Sequence, residues 1–194
     1  MDERDLIERS QSGDIGAFNC LVEQYQRLVY SVSLRMLGDP ERAEDATQDT
    51  FISAYRAIAR FRGGSFKAWI IRIASNACHD KMRVARRSQA ASLDCLIEES
   101  GDFIRDDRAE SPEEYALRRE LGRTIGEGLA VLPEDQRLVV VLCDVQGLSY
   151  EEAAEAMNCS LGTVKSRLNR GRTRLRDFLV HRRELLPPEF RHDR

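Results

Sequence analysis

The amino-acid sequence predicts an all-α protein in which a helical bundle and a helix-turn-helix domain are joined by an acidic flexible linker. Three observations support this fold class. Along the N-terminal half, apolar residues recur at spacings of three and four, and no segment alternates apolar and polar residues as a strand would. Residues 91–135 carry 13 acidic and 5 basic residues. Near the C-terminus, a capped helix, a tight turn and an arginine-rich helix follow one another.

The first predicted helix carries a stripe of apolar residues at helical spacing. It ends at Gly38, because Asp39 and Pro40 are typical of the cap and the first position of a new helix. Two antiparallel helices joined by so short a turn suit a small bundle. The stripe consists of Phe18, Leu21, Val22, Tyr25, Leu28, Val29, Val32 and Met36.

The second predicted helix, over residues 40–60, has two different faces. One face keeps an isoleucine exposed among acids, which a purely solvated face seldom does. A partner-binding face and an ordinary solvated face both remain open as interpretations. The predicted buried face consists of Ala43, Thr47, Phe51, Ala54 and Ile58. The opposite face consists of Asp45, Gln48, Asp49, Ile52 and Arg56.

Residues 61–87 combine a glycine-containing loop with a third helix. One side of this helix is apolar and includes Trp69, for which core packing is one interpretation. The other side places guanidinium and amide donors beside an aromatic-bearing loop, which suits a nucleic-acid strand with unstacked bases. His79 is interpreted as a surface histidine, because no second ligand residue lies at metal spacing. The polar side consists of Arg72, Asn76, His79, Arg83, Arg86 and Arg87.

Composition divides the chain into domains. Residues 92–112 have poor helical periodicity, a glycine, a Ser-Pro pair and many acids, which is the composition of a linker. We predict a helical domain over residues 1–88, a linker over 89–112, a second helical domain over 113–183 and a tail over 184–194. The acidic linker is expected either to be solvated or to lie in a basic channel of a partner.

Residues 148–179 contain the signals of two helices joined by a turn. Ser149 and Glu152 form a capping box, in which each side chain bonds a backbone donor of the first helical turn. Asn158 stands where the turn needs left-handed backbone, and Ser160 is suited to cap the next helix. The apolar stripe of the second helix consists of Leu161, Val164, Leu168, Leu175, Phe178 and Leu179.

This last helix concentrates positive charge in a chain that is acidic as a whole. Residues 165–183 hold eight basic residues and one acid, whereas the whole chain has a formal net charge of −3. Such a helix neutralises phosphates, and its first turns can place Lys165, Ser166 and Arg167 against base edges in a major groove. A solvated arginine-rich helix or a membrane-surface helix is the alternative, but neither needs the capped helix and turn that precede it.

Composition argues against several classes of protein. No apolar run approaches the length of roughly 18 residues that a membrane span needs, and the charged N-terminus is unlike a signal peptide, so we expect a cytoplasmic protein without membrane insertion. The sequence contains no phosphate loop and no nucleophile paired with a base. We therefore expect no enzymatic activity, no cofactor and no small-molecule substrate. The scattered cysteines predict reduced thiols and no metal site. They are Cys20, Cys78, Cys95, Cys143 and Cys159.

Three motif blocks in this order resemble those of an extracytoplasmic-function sigma factor, over about residues 6–179. The first is DATQDTFISAY at residues 45–55. The second is FRG at residues 61–63, followed by Trp69 and by IASN at residues 73–76. The third is LP at residues 132–133, followed by GLSYEEAA at 147–154 and GTVKSR at 162–167. An acidic linker stands where the family has one, although the loop at residues 64–66 is one residue shorter than the commonest family spacing.

The resemblance implies a factor that binds core RNA polymerase and directs it to promoters, with sigma region 2 in the first domain and region 4 in the last. The acidic linker would run toward the polymerase active-site and RNA-exit channels. The expected partners are the β and β′ subunits, promoter DNA and an anti-sigma factor, which could hold the protein at the membrane. The residues expected to dock on the clamp helices of the largest polymerase subunit are Asp45, Gln48, Asp49, Ile52 and Tyr55. Those expected to bind the melted −10 strand are Phe61, Ser65, Arg72, Asn76, Arg83, Arg86 and Arg87. Those expected to read the −35 element are Ser160, Thr163, Lys165, Ser166, Arg167 and Arg170.

A stand-alone helix-turn-helix repressor or activator is the alternative from a different class of protein. Its N-terminal bundle would serve as a sensing or dimerisation module. Such a protein would shift duplex operator DNA by itself and form a symmetric dimer. A sigma factor is instead expected to bind promoter DNA well only with core polymerase.

Overall fold

Eight α-helices form the described part of the chain in the computed structural model, which covers residues 2–91 and 112–181. These residues contain no strand, so the predicted all-α fold class is confirmed. Most of the predicted acidic linker and the whole predicted tail lie outside the described residues. The helices are α1 (Glu3–Gln11), α2 (Ile15–Leu37), α3 (Pro40–Ala57), α4 (Phe66–Ala91), α5 (Pro112–Ala130), α6 (Glu134–Val140), α7 (Tyr150–Met157) and α8 (Leu161–His181).

The turn between α2 and α3 is built as its sequence predicts. Gly38 has a φ of 74°, in the left-handed region that glycine tolerates, and its N–H donates to the carbonyl of Leu34 at 2.8 Å. The carboxylate of Asp39 accepts a 2.7 Å hydrogen bond from the backbone N–H of Arg42, with Pro40 at the first helical position. This turn reverses the chain so that α3 packs back against α2.

The buried face of α3 is rotated slightly from the predicted one. Thr47 and Phe51, which the periodicity predicts as buried, are only half-buried, whereas Ala46 and Thr50 are fully buried. The hydroxyl of Thr50 donates to the carbonyl of Ala46 at 2.6 Å, so its burial leaves no donor unpaired. The other buried residues of this face are as predicted, namely Ala43, Ala54 and Ile58.

One apolar cluster joins the two helical regions of the chain. Val32 and Met36 of α2 and Ile71 of α4 pack in the same buried cluster as Leu138 of α6 and Leu168 of α8. A second cluster lies within the N-terminal bundle alone and contains most of its aromatic side chains. The described parts of the two predicted domains therefore share a core.

Helix α8 crosses α6 closely at Gly171. A Cβ atom at this position would lie 2.8 Å from Cγ2 of Val140 and 3.2 Å from the carbonyl oxygen of Gln136. The first distance is far inside van der Waals contact, and the backbone oxygen cannot rotate away. A glycine in mid-helix costs helix propensity, and here it permits the close crossing that positions α8.

Gly171→Ala should therefore destabilise the protein by about 1–3 kcal/mol, because overpacking outweighs the gain in helix propensity. The measurement is thermal unfolding of the full chain by circular dichroism. Gly162→Ala on the same helix is the matched control, since its Cβ would meet only the Ser160 hydroxyl at 3.8 Å. It should leave the melting temperature unchanged or slightly raised. Equal melting temperatures for the two variants would contradict the close crossing.

Candidate nucleic-acid interface

Helix α3 presents acidic and apolar side chains together on one solvent-facing side. Ile52 and Tyr55 are 43% and 41% exposed, although both are large and apolar in part. Asp45 and Asp49 lie one turn apart on this helix and are also exposed, as is Gln48. A groove of about 900 Å³ runs between this face and α4. All five residues expected to bind polymerase are exposed, and their role stays a prediction.

Lys81 of α4 supports the acidic face from across this groove. Its ammonium group lies 3.0 Å from a carboxylate oxygen of Asp49 and 3.4 Å from one of Asp45. Partial burial acts to lower the pKa of Lys81, but hydrogen bonds to Asp49 and Asp45 outweigh it and raise this pKa above its ordinary value. Lys81 therefore stays charged and pairs with both carboxylates across the groove.

The loop between α3 and α4 rests on an aromatic cluster. Phe61 packs against Trp69 and Phe66, with ring centroids 5.2 and 5.7 Å apart. Gly63 and Gly64 have φ angles of 89° and 91°, which only glycine adopts without strain. Because its ring packs against Phe61, Trp69 is largely a packing residue. Of the two loop residues expected to bind DNA, Phe61 is half-buried in this cluster.

Two side chains fix the ends of this loop by hydrogen bonds. The amide of Gln11, the last residue of α1, donates to the carbonyls of Phe61 at 2.7 Å and of Ile58 at 3.2 Å. The hydroxyl of Ser65 accepts from the N–H of Ala68 at 3.1 Å and caps α4. Ser65 therefore has a structural role beside the DNA-binding role that the sequence predicts for it.

The polar face of α4 is exposed except at His79. Arg72 and Asn76 lie one turn apart, and the basic residues that follow continue the same side of the helix. His79 is half-buried rather than a free surface residue, because its Nδ1 lies 2.8 Å from a carboxylate oxygen of Glu134 on α6. The exposed basic residues of this face are Arg72, Arg83, Arg86 and Arg87.

The helix-turn-helix has the predicted local geometry. Ser149 and Glu152 form both hydrogen bonds of the capping box, at 3.1 and 2.8 Å. Asn158 is left-handed, with a φ of 49°, and ends α7. The hydroxyl of Ser160 accepts from the N–H of Thr163 at 3.2 Å and caps α8. The second helix therefore leaves the turn in a fixed direction, which positions its exposed side chains.

Four of the residues predicted to read the −35 element fall into two groups. Lys165, Ser166 and Arg170 are exposed on α8. Arg167 instead points at α6, where its Nε lies 2.9 Å from a carboxylate oxygen of Asp135, and its side chain is 29% exposed. Any contact of Arg167 with DNA must compete with this ion pair, so its assignment stays a prediction that the geometry does not favour.

A shallow groove of about 400 Å³ on the outer side of α8 contains residues that the sequence analysis did not select. Tyr150 of α7 lines it together with side chains of α8 that lie about one turn apart, beginning at Lys165. The groove is basic and polar, which suits a phosphate backbone and base edges. Its lining includes Tyr150, Lys165, Asn169, Arg172, Thr173 and Arg176.

Two family models match the chain. The model of sigma-70 region 2 matches residues 21–88, and the model of sigma-70 region 4 matches residues 122–175. The chain belongs to the sigma-70 family. The first match covers α3, the loop and the basic face of α4, and the second covers the helix-turn-helix. Helix α1 and its Gln11 lie before the first match.

Relatives extend this assignment to nearly the whole chain. This sigma factor is 40% identical over 175 residues to the RNA polymerase sigma-H factor of Pseudomonas aeruginosa, a match that covers 88% of this chain and 90% of that protein. It is 38% identical over 178 residues to the ECF RNA polymerase sigma-E factor of Haemophilus influenzae, covering 89% of this chain and 92% of that one. The resemblance to extracytoplasmic-function sigma factors is confirmed.

Two solved structures have a similar fold. One is the sigma factor RpoE in complex with the anti-sigma factor NepR from Bartonella quintana, with a TM-score of 0.68 and 28% identity. That match covers 86% of this chain and 98% of that chain. The other is CnrH in complex with the cytosolic domain of CnrY, with a TM-score of 0.65 and 27% identity over 93% and 99% of the two chains.

The protein is a transcription initiation factor that binds core RNA polymerase and directs it to promoter DNA. The alternative of a stand-alone repressor or activator is not favoured, because its bundle would not be expected to match sigma region 2. Within residues 2–91 and 112–181, no helix is long and apolar enough to cross a membrane. The cysteines in those same residues are free thiols.

Proposed function

We propose that this sigma factor docks on the clamp helices of the largest polymerase subunit through the exposed face of α3. Two large side chains, Ile52 and Tyr55, remain more than 40% exposed there beside two carboxylates that pair with Lys81. This single observation carries the proposal, since large, partly apolar side chains left exposed among charged groups are typical anchors of a binding hot spot. The full set of contact residues is Asp45, Gln48, Asp49, Ile52 and Tyr55.

The loop and the basic face of α4 bind the melted −10 strand in this proposal. The guanidinium groups neutralise phosphates, while the amide of Asn76 and the aromatic loop hold an extruded base. Gln11 and Ser65 position the loop from its two ends. The strand-binding residues are Phe61, Ser65, Arg72, Asn76, Arg83, Arg86 and Arg87.

Helix α8 reads the −35 element in the major groove, with Lys165, Ser166 and Arg170 nearest to DNA in this proposal. Ser160 and Thr163 stiffen the start of the helix, since their hydroxyls lie 2.9 Å apart. One chain binds both DNA elements in this proposal. The arrangement of that chain on polymerase therefore sets the spacing between the two elements. The sigma factor itself performs no catalytic step, and the polymerase makes the RNA.

An anti-sigma factor is the expected regulator. One structural neighbour is a sigma factor in complex with an anti-sigma factor, which supports the same kind of partner here. The other is CnrH in complex with the cytosolic domain of CnrY. The protein would then work in the cytoplasm and be held there, or at the membrane, until its partner releases it.

The test is transcription in vitro by purified core polymerase with the full chain, on a genomic fragment library that identifies its start sites. Asn76→Ala should then reduce transcription both on the closed template and on a template with a pre-melted bubble. If Asn76 only assisted opening, the bubble would restore wild-type activity. Transcripts that do not depend on the added chain, or equal activity of variant and wild type on both templates, would contradict the proposal.

A further inference from the structure

An acidic side chain contacts the outer groove of α8 from the side of α6. Asp144 lies in the π-helical turn Val141–Val145, which directly follows α6. Its two carboxylate oxygens accept hydrogen bonds from Nε and Nη2 of Arg172, at 3.0 and 2.5 Å. Arg172 is one of the residues that line the outer groove. A negative charge so close to a surface suited to phosphates should repel DNA by itself.

The packing of α8 against α6 brings these two side chains together. Gly171, the residue before Arg172, permits the close crossing of the two helices. In the π-helical turn, the N–H of Gln146 donates to the carbonyl of Val141 at 2.9 Å, which spans five residues where an α-helix spans four. The wider turn changes the direction in which Asp144 leaves the helix, and its carboxylate faces α8. Turns of this kind occur frequently at functional sites.

The two hydrogen bonds restrain Arg172 without using all of its donors. A guanidinium group has five N–H groups, of which Asp144 takes one on Nε and one on Nη2. The Arg172 side chain is still 52% exposed, so the other donors remain accessible to a phosphate oxygen. The hydrogen bond to Asp144 is the main cause that raises the pKa of Arg172 above its ordinary value, and Tyr150 adds to it. Arg172 therefore stays charged.

Restraint of an arginine before binding lowers the cost of binding. An unrestrained arginine side chain has many rotamers, and it loses that freedom when it contacts a phosphate. Asp144 limits the freedom of Arg172 already in the free chain. The effect on folding is small, because ion pairs between partly exposed side chains contribute little to stability. The main consequence of this ion pair is therefore the orientation of one guanidinium group on α8.

We propose that Asp144 is a positioning residue for the −35 element, because it holds Arg172 in the orientation that contacts a phosphate of the duplex. The gain from this orientation outweighs the repulsion between the carboxylate and DNA, since the paired guanidinium neutralises the carboxylate. A phosphate carries no sequence information, so Asp144 contributes to affinity and not to base preference. This inference rests on the proposed role of α8 in reading the −35 element.

The test is the binding of holoenzyme to a fluorescein-labelled promoter duplex that it transcribes, measured by fluorescence anisotropy. Asp144→Ala should weaken binding roughly fivefold. Asp144→Asn removes the same charge but keeps one acceptor oxygen for Arg172, so it should weaken binding only about twofold. Glu151→Ala is the matched control, because it removes an exposed acid in the first turn of α7. It should leave the affinity unchanged or slightly raised.

Two further measurements separate positioning from support of the fold. In a chain that also carries Arg172→Ala, the change Asp144→Ala should cause no further loss of affinity, because no guanidinium is left to orient. On a set of single-base −35 variants, Asp144→Ala should weaken binding to every duplex by the same factor, whereas a displaced α8 would relax base preference. Circular dichroism of the free chains checks that each variant keeps its helices. If Asp144→Ala lost its helices, Asp144→Asn would decide by itself.

Unchanged or tighter binding by the Asp144→Ala holoenzyme would overturn the inference, because the carboxylate would then only repel DNA. A loss of the same size in the Arg172→Ala chain, or relaxed base preference, would overturn it as well. A failure of the proposed function has a different signature. If Lys165→Ala leaves base preference and affinity intact, the outer side of α8 does not face the −35 element. An effect of Lys165→Ala without an effect of Asp144→Ala contradicts the inference alone.

Discussion

Asp49→Arg should abolish binding to core polymerase under conditions in which the wild type binds fully. The change replaces one of the two carboxylates that pair with Lys81 by a cation and places it beside the Lys81 ammonium group, which lies 3.0 Å from Asp49. Reversal of a charge inside a binding hot spot costs about 2–5 kcal/mol, which corresponds to a loss of affinity of roughly 30-fold or more. The measurement is pull-down of purified core polymerase by the tagged full chain, followed by titration.

The same charge change elsewhere separates a contact from a general electrostatic effect. Glu23→Arg on α2 alters the net charge equally at another exposed acid and should leave polymerase binding intact. Both variants should keep the wild-type circular dichroism, because Asp49 has a side chain that is 58% exposed. Undiminished capture of polymerase by the Asp49→Arg chain would show that α3 is not the docking face.

The structural features that the sequence predicts best are those determined by residues close together in the chain. The Gly38 turn, the Ser149 capping box and the left-handed Asn158 each depend on hydrogen bonds within about four residues, so composition at fixed spacing is enough to place them. The exposed face of α3 was likewise predicted from periodicity. Its buried face was predicted less well, because Thr50 becomes buried by bonding its own backbone, and polarity alone gives no sign of this.

The features of the site that the sequence does not predict depend on long-range contacts. Gln11 reaches the carbonyl of Phe61, and Lys81 reaches Asp45, across 50 and 36 positions in sequence. Glu134 meets His79 across 55 positions. These partners are set by how the helices pack and not by any local pattern, so a single sequence cannot reveal them. The motifs predicted which surfaces matter, while the contacts that position or cover those surfaces required the three-dimensional structure.

On α8, a residue near the start of the helix should control base preference, and a residue further along it should not. Lys165 is exposed and lines the outer groove of α8, whereas Arg174 is exposed about 13 Å further along the helix axis. Lys165→Ala should therefore cost about 1–3 kcal/mol on the cognate −35 sequence and relax the preference for one base pair there. Arg174→Ala should weaken all sequences alike and reduce the salt slope of binding by about one.

Arg167 provides the sharpest comparison, because the sequence assigns it to base edges while the structure pairs it with Asp135. If this pair persists on DNA, Arg167→Ala should leave base preference unchanged and change the stability of the C-terminal region by no more than about 1 kcal/mol, since Asp135 is 46% exposed and stays solvated. The measurement is binding of holoenzyme to a set of single-base −35 variants at several salt concentrations, with thermal unfolding of the free chains alongside. A loss of base preference in Arg167→Ala but not in Lys165→Ala would mean that the ion pair breaks on binding and that the opposite side of α8 enters the major groove.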